Sequence, residues 1–158
     1  GVQILVTRQG QQFDLFNERE VVHLEDVRNL VQLDYHVQLI VLVLMAVCIL
    51  VFWLWFKEGW RVPVRGLFWG GVVTLGLMLF LALWAIIGFE RLFILFHLVS
   101  FSNEYWILDP TRDYLIMLFP EGFFYDAALL IFGVVMLKAL FIGGTSFAVL
   151  KFVGKNEQ

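Results

Sequence analysis

The chain has 158 residues, of which 61% are hydrophobic, 17% aromatic and only 16% charged; its mean hydropathy is +0.83. An ordinary soluble domain is about 45–50% apolar and about 25% charged, and a fold of ~150 residues still exposes roughly 30% of its unfolded surface, so the composition excludes a water-soluble globule and a disordered chain. The net charge of −3 (14 acids, 11 bases) argues against a nucleic-acid partner, and one cysteine excludes a disulfide framework or a cysteine-rich metal site.

Residues 1–37 are polar, with six acids and three bases. Within them, residues 17–31 (N-E-R-E-V-V-H-L-E-D-V-R-N-L-V) read as an amphipathic helix. Asn17 stands at the cap, and Glu20 stands three residues on, where a capping-box partner belongs. Val21, Leu24, Val27, Leu30 and Val31 keep the three-to-four spacing of one apolar face. Too short and too charged to cross a bilayer, this helix is expected to lie at the membrane interface. Residues 38–56 follow without a charge and read as the first span. The loop 57–65 holds Lys57, Arg61 and Arg65 against one acid, Glu58. Residues 66–88, again uncharged, read as the second span.

Residues 89–126 hold six acids and two bases. They open on an apolar stretch, F-E-R-L-F-I-L-F-H-L-V-S-F, expected to be helical and to lie partly in the membrane boundary. Asp109 before Pro110 reads as a helix start, giving a short helix over 110–119 that Pro120-Glu121-Gly122 ends. Residues 127–149 form the third span, with one interior charge, Lys138, and residues 150–158 a tail carrying Lys151 and Lys155. Lipid offers no partner for unpaired backbone groups, and no span alternates with period two. The expected architecture is therefore an all-α integral membrane protein: a bundle of three spans with outer-face interfacial helices.

The basic-loop rule places the loop 57–65 and the C-terminal tail in the cytoplasm, and residues 1–37 and 89–126 outside. Trp53, Trp55, Trp60 and Trp69 then bracket the inner boundary, and Trp84, Tyr105, Trp106 and Tyr114 lie towards the outer one. An outside N-terminus needs a signal or an earlier span, so a preceding transmembrane helix is expected beyond this sequence. Gly66 with Gly70, and Gly143 to Ser146, read as close helix packing. Cys48 reads as an inert small hydrophobe. Lys138 reads either as a functional intramembrane charge or as a side chain snorkelling to the inner interface.

Two spans separate His23 from His97, so both reach the same, outer side, at the level of lipid headgroups. Histidine is the side chain suited to moving protons near neutral pH, and two at the headgroup level point to acid–base chemistry on a lipid ester. The alternative is that each is a hydrogen-bonded interface residue. His36 reads as an interface marker. No GxSxG elbow, HExxH or glycine-rich phosphate loop appears. His23, Asp26 and His97 could hold zinc, but a fourth ligand is missing.

The blocks R-E-V-V-H-L-E-D-V-R (residues 19–28) and F-H-L-V-S-F-S-N-E-Y-W-I-L-D-P-T-R-D-Y-L-I-M-L-F-P-E-G-F-F (residues 96–124), with two spans between, resemble the lipoprotein intramolecular transacylase (Lit) family of small bacterial membrane proteins. The resemblance implies a four-span unit, the first span being the one absent here, in the bacterial cell membrane with its active face extracellular. It implies an acyltransferase without metal or other cofactor. Its substrate is the diacylglyceryl-cysteine at the N-terminus of a bacterial lipoprotein, held in membrane lipid, and it moves the sn-2 acyl chain to the α-amino group of the same cysteine, leaving a lyso-form lipoprotein. The proposed catalytic pair of the family matches His23 and His97. Such a reaction needs no protein nucleophile, only a base for the amine and an acid for the leaving glyceryl oxygen. Arg19 and Asn103 are candidate oxyanion donors beside backbone amides. Glu20 or Asp26 is expected to orient His23, and Asp109 is a further supporting candidate. The rival readings are a non-catalytic membrane scaffold or assembly factor and a metal-dependent membrane hydrolase.

Overall fold

The computed structural model describes residues 4–8, 10–55 and 59–152. Phe56, Lys57 and Glu58 around the basic loop, and the tail from residue 153 with Lys155, lie outside these described residues.

Two antiparallel strands come first, β1 (Leu5–Arg8) and β2 (Gln11–Asp14), in register from Leu5↔Asp14 to Arg8↔Gln11. Gly10 takes φ +83° in their turn, a left-handed backbone that favours glycine. Nothing in the sequence announces this hairpin, because β2 (Q-Q-F-D) is too short and polar to show an alternating pattern.

Among the described residues four helices follow: α1 (Glu18–Trp55), α2 (Arg61–Ser100), α3 (Tyr114–Leu118) and α4 (Glu121–Phe152). The capping box of α1 closes in both directions, the Glu20 amide donating to Asn17 Oδ1 (3.1 Å) and the Asn17 amide to Glu20 Oε2 (2.7 Å). The amphipathic stretch and the first apolar stretch prove to be one continuous helix, not an interfacial helix followed by a separate span. Residues 32–37 (Q-L-D-Y-H-V) hold neither Gly nor Pro, so nothing there stops the helix. In α2, Pro63 sits in the first turn, where its missing N–H costs nothing. Gly88 (φ −166°, ψ 70°) is non-helical and joins two helical pieces.

The short helix begins four residues later than Asp109-Pro110 announces. The Asp109 carboxylate instead accepts the amide and hydroxyl of Thr111 (2.9 and 2.7 Å), and its carbonyl accepts the Asp113 amide (2.8 Å). This side-chain turn satisfies Asp109 locally, and Asp113 takes the cap position of α3 in extended backbone.

The chain divides into two compact units, one of Gly1–Val37 with Gly88–Asp126, the other of Gln38–Ile87 with Ala127–Gln158. The second unit holds the most apolar parts of α1, α2 and α4, the three helices long and apolar enough to cross a membrane. Its burial is inverted relative to a soluble core: Ala82, Ala85, Ala139 and Ser146 are buried, while Leu42, Leu44, Leu77, Ile86, Leu130 and Phe141 are exposed. Small residues let helix backbones approach, and lipid covers the rest. Lys138 and Cys48 are both exposed there.

The close approach in this unit falls at Gly71, not at Gly66 or Gly70, which face open space. A Cβ on Gly71 would stand 3.1 Å from the Ala139 carbonyl and 3.2 Å from the Gly143 Cα, whereas one on Gly143 would meet nothing nearer than 3.8 Å. A one-residue step turns a helix by about 100°, which takes Gly70 off the contact. Gly71→Ala is therefore expected to cost about 1–3 kcal/mol by overpacking. Gly70→Ala and Gly143→Ala should leave thermal unfolding in detergent nearly unchanged. Equal stability of all three variants would remove Gly71 from the contact.

Candidate functional site

The first unit has a polar interior. Its buried side chains include Phe16 and Leu115 but also Glu20, His23, His97 and Asp113, with Glu20 only 1% exposed. Buried polar groups must find partners, and here most of those partners are backbone amides and carbonyls. Glu20 Oε1 accepts the amide of Leu115 (2.6 Å) while Oε2 serves the α1 cap. Asn17 Nδ2 donates to Asp113 Oδ1 (2.8 Å), and Asp113 Oδ2 accepts the Asp109 amide (2.7 Å). Glu20 therefore fastens the start of α1 to the start of α3, a job different from orienting a histidine.

One turn further along α1 stands His23. His97 comes from the end of α2, and the two rings meet with centroids 5.9 Å apart and planes at 33°. They are 8% and 7% exposed. Rings at this separation can both bring a nitrogen within ~3 Å of one bound atom. Aromatic side chains wall the pair. Phe101 stands edge-on to His23 at 5.1 Å, and Phe93, Phe96, Phe101 and Trp106 lie 4.3, 5.4, 5.6 and 4.9 Å from the His97 ring. Phe93 and His97 are an i, i+4 pair, so their contact was readable from spacing. Trp106 approaches from the irregular segment after α2, which spacing does not describe.

The two imidazoles are held differently. His97 Nδ1 lies 2.7 Å from the Phe93 carbonyl oxygen. A carbonyl can only accept, so Nδ1 carries the proton and Nε2 offers a lone pair. His23 Nδ1 is buried with no hydrogen-bond partner among the described residues, so none of them fixes a proton there. Asp26, one turn from His23, does not bond it; its Oδ2 accepts from Asn103 Nδ2 (2.8 Å), whose Oδ1 in turn accepts the Tyr105 amide (3.0 Å). Arg19 Nη2 donates to the carbonyls of Glu104 and Ile107 (3.1 and 3.3 Å). Asp109 is committed to its turn, and the Thr111 hydrogen bonds, with Arg112 nearby, hold its carboxyl below the usual value. His36 is exposed, with Nδ1 on the Gln32 carbonyl (2.6 Å), and lies thirteen residues, or about 20 Å of helix rise, beyond His23. An open cavity of about 430 Å³ beside the start of α1 is lined by Asn17, Glu18, Arg19, Arg112 and Asp113, not by the histidines. Among the described residues, no three His, Cys, Asp or Glu side chains are grouped to hold a metal ion.

Both site histidines lie in the first unit, away from the most apolar parts of α1 and α2 in the second, and burial holds both below the ordinary 6.5. Burial is the main cause for each. The charge of His97 lowers His23 further while Asp26 raises it, and the bond to Phe93 raises His97. Between pH 6.5 and the lowered folded values, the unfolded chain binds more protons. Stability therefore falls as pH drops through that window and stops falling below it. Titration of ¹³C-labelled histidine by NMR should give midpoints below 6.5 for both rings, and a midpoint above 6.5 for either would contradict its burial.

Comparison with known proteins covers the same residues. A family model described as lipoprotein intramolecular transacylase Lit matches residues 5–124, a range holding both histidines. A search of curated proteins returns no match. The chain is similar to the in meso structure of the membrane integral lipoprotein intramolecular transacylase Lit from Bacillus cereus, with 26% sequence identity and a TM-score of 0.63. That likeness covers 90% of this chain and 61% of the Bacillus cereus chain, so this chain spans about three-fifths of the length of the protein it matches. The family match extends over most of the sequence, and the fold agrees with it: this multi-pass membrane protein belongs to the lipoprotein intramolecular transacylase Lit family.

Proposed function

We propose that the protein is a lipoprotein intramolecular acyltransferase of the bacterial cell membrane, acting at its outer face with His23 and His97 as the catalytic pair. The observation that carries the reading is the meeting of the two buried imidazoles, 5.9 Å apart, from residues 74 positions distant in sequence. Family membership supplies the substrate class: a diacylated lipoprotein whose N-terminal cysteine bears a diacylglyceryl thioether. The outward orientation rests on the basic residues of the loop 57–65 and on the acidic balance of residues 89–126.

The chemistry follows from the substrate's own groups. The cysteine α-amine attacks the sn-2 ester carbonyl, a C–N bond forms, the C–O bond to glycerol breaks, and one amine proton ends on the glyceryl oxygen. Nothing enters or leaves, so the product is an isomer of the substrate. An α-amine has a pKa of about 7.7–8.0 and must be neutral to attack. His97 has the free Nε2 lone pair for taking the amine proton, and its Nδ1–H···O bond to Phe93 steadies the cation that results. His23, whose tautomer is unfixed, relays that proton: its lone-pair nitrogen takes one from His97 as its N–H gives one to the leaving oxygen, so both rings end neutral as they began. The aromatic walls keep water from competing as nucleophile. Holding amine and ester in attack geometry adds part of the about 7–11 kcal/mol that full positioning can supply, the substrate's own tether providing the rest.

The test is a purified protein in detergent or vesicles with a synthetic diacylated lipopeptide. Because mass does not change, conversion is read as loss of the free amine and as an acylated N-terminal fragment in tandem mass spectrometry. Mixing two lipopeptides with differently labelled acyl chains should give no exchange of label. Unconverted lipopeptide, or scrambled label, would refute intramolecular transfer.

A further inference from the structure

Arg19 was an oxyanion-donor candidate, but its guanidinium is drawn to backbone carbonyls. One nitrogen, Nη2, donates to the carbonyls of Glu104 and Ile107, and the Ile107 amide closes a turn onto Glu104 O (3.2 Å). These two carbonyls flank Trp106, whose indole lies 4.9 Å from the His97 ring with planes at 33°. A second tie, Asp26 to Asn103, fixes the start of the same segment to α1. The tryptophan otherwise sits in irregular backbone without a helix or sheet ladder to fix it. Both bonds come from one planar NH₂ group whose two N–H vectors diverge towards the carbonyls; a lysine ammonium has donors enough for both but a shorter reach, and so reproduces the bridge only in part.

We infer that Arg19 is a positioning residue: by pinning both ends of the 104–107 turn to α1, it holds the Trp106 indole against the His97 imidazole. The consequence for transfer rests on the catalytic reading of His97, but the contact itself is measurable without any activity. An indole face against an imidazole shifts the His97 ring protons upfield. Three histidines give three resolvable signals, with His36 as an internal reference. In Trp106→Leu the His97 signal should move downfield. Arg19→Ala should reproduce most of that movement, and the double variant should move it no further. Arg19→Lys, which keeps the charge, should move it part of the way and stands in if the alanine variant fails to fold. Acyl transfer should drop about ten- to a hundredfold in Arg19→Ala, as for a misplaced catalytic group, with partial recovery in Arg19→Lys.

A His97 signal unmoved in both Arg19 variants, while Trp106→Leu moves it, overturns the proposal even if activity falls, because Arg19 would then act elsewhere. Equal movement of the His36 signal would also overturn it, as the sign of a general loss of structure. A shifted His97 signal in a protein that never transfers acyl groups would uphold the positioning role and defeat only the catalytic reading.

Discussion

His97→Asn is expected to slow acyl transfer about 10²–10⁴-fold, the usual worth of a positioned acid or base, and His23→Asn to slow it comparably. The double variant should be little worse than either. One proton has to travel from amine to glyceryl oxygen, and the two rings lie close enough, at 5.9 Å, to act on one bound group. Removing either member leaves the other without its half of the transfer, and residues that act as a unit give strongly non-additive losses. Asparagine keeps a hydrogen-bonding end but cannot titrate near neutrality, so the comparison isolates proton movement. His36→Ala, altered about 20 Å further along α1, should convert lipopeptide at nearly the parent rate. Rates come from amine loss over time. Near-parent rates in either single Asn variant would remove that histidine from the mechanism, and multiplying losses in the double variant would mean that the two act independently.

The pair could be found in the sequence because depth is legible there. Two charge-free stretches stand between His23 and His97, as an excursion across a membrane and back predicts, and the two rings do meet. The capping box at Asn17 and Glu20 was equally open to reading, since both partners are local and their spacing fixes the geometry. What could not be read shares a physical cause: long-range contacts made by polar side chains, to backbone or to one another. Asn17 reaches Asp113, Glu20 reaches Leu115, Asp26 reaches Asn103 and Arg19 reaches Glu104 and Ile107. A backbone partner leaves no residue-type signature, and a side-chain partner 77 or 96 positions away follows no local spacing, so Arg19, Asn103 and the carboxylates looked equally available for the site. The same limit misplaced the start of α3, because Asp109 satisfied itself in a turn. It also placed the glycine contact one residue early, since neighbouring glycines at 70 and 71 differ only in which way they face.

Glu20→Ala is the substitution expected to damage the fold most. The Glu20 carboxylate is 1% exposed and accepts two backbone amides, Asn17 at 2.7 Å and Leu115 at 2.6 Å. Hydrogen bonds to a charged group are worth about 1.5–3 kcal/mol each, and an amide left buried without a partner adds its own cost. A loss of about 3 kcal/mol or more is expected, which for a chain of this size is a fall in Tm of roughly 6–12 °C. Glu20→Gln should fall between, because its oxygen can serve one amide while its NH₂ faces the other, donor against donor. Glu20→Asp, shorter by a methylene, should lose the Leu115 bond and keep the capping one. The functional cost follows the same route: with the first turn of α1 loosened, His23 three residues on no longer holds its place beside His97. If Glu20 instead oriented His23 directly, all three variants would lose acyl transfer while thermal unfolding stayed near the parent value. Tm and rate measured together on one preparation separate the two roles.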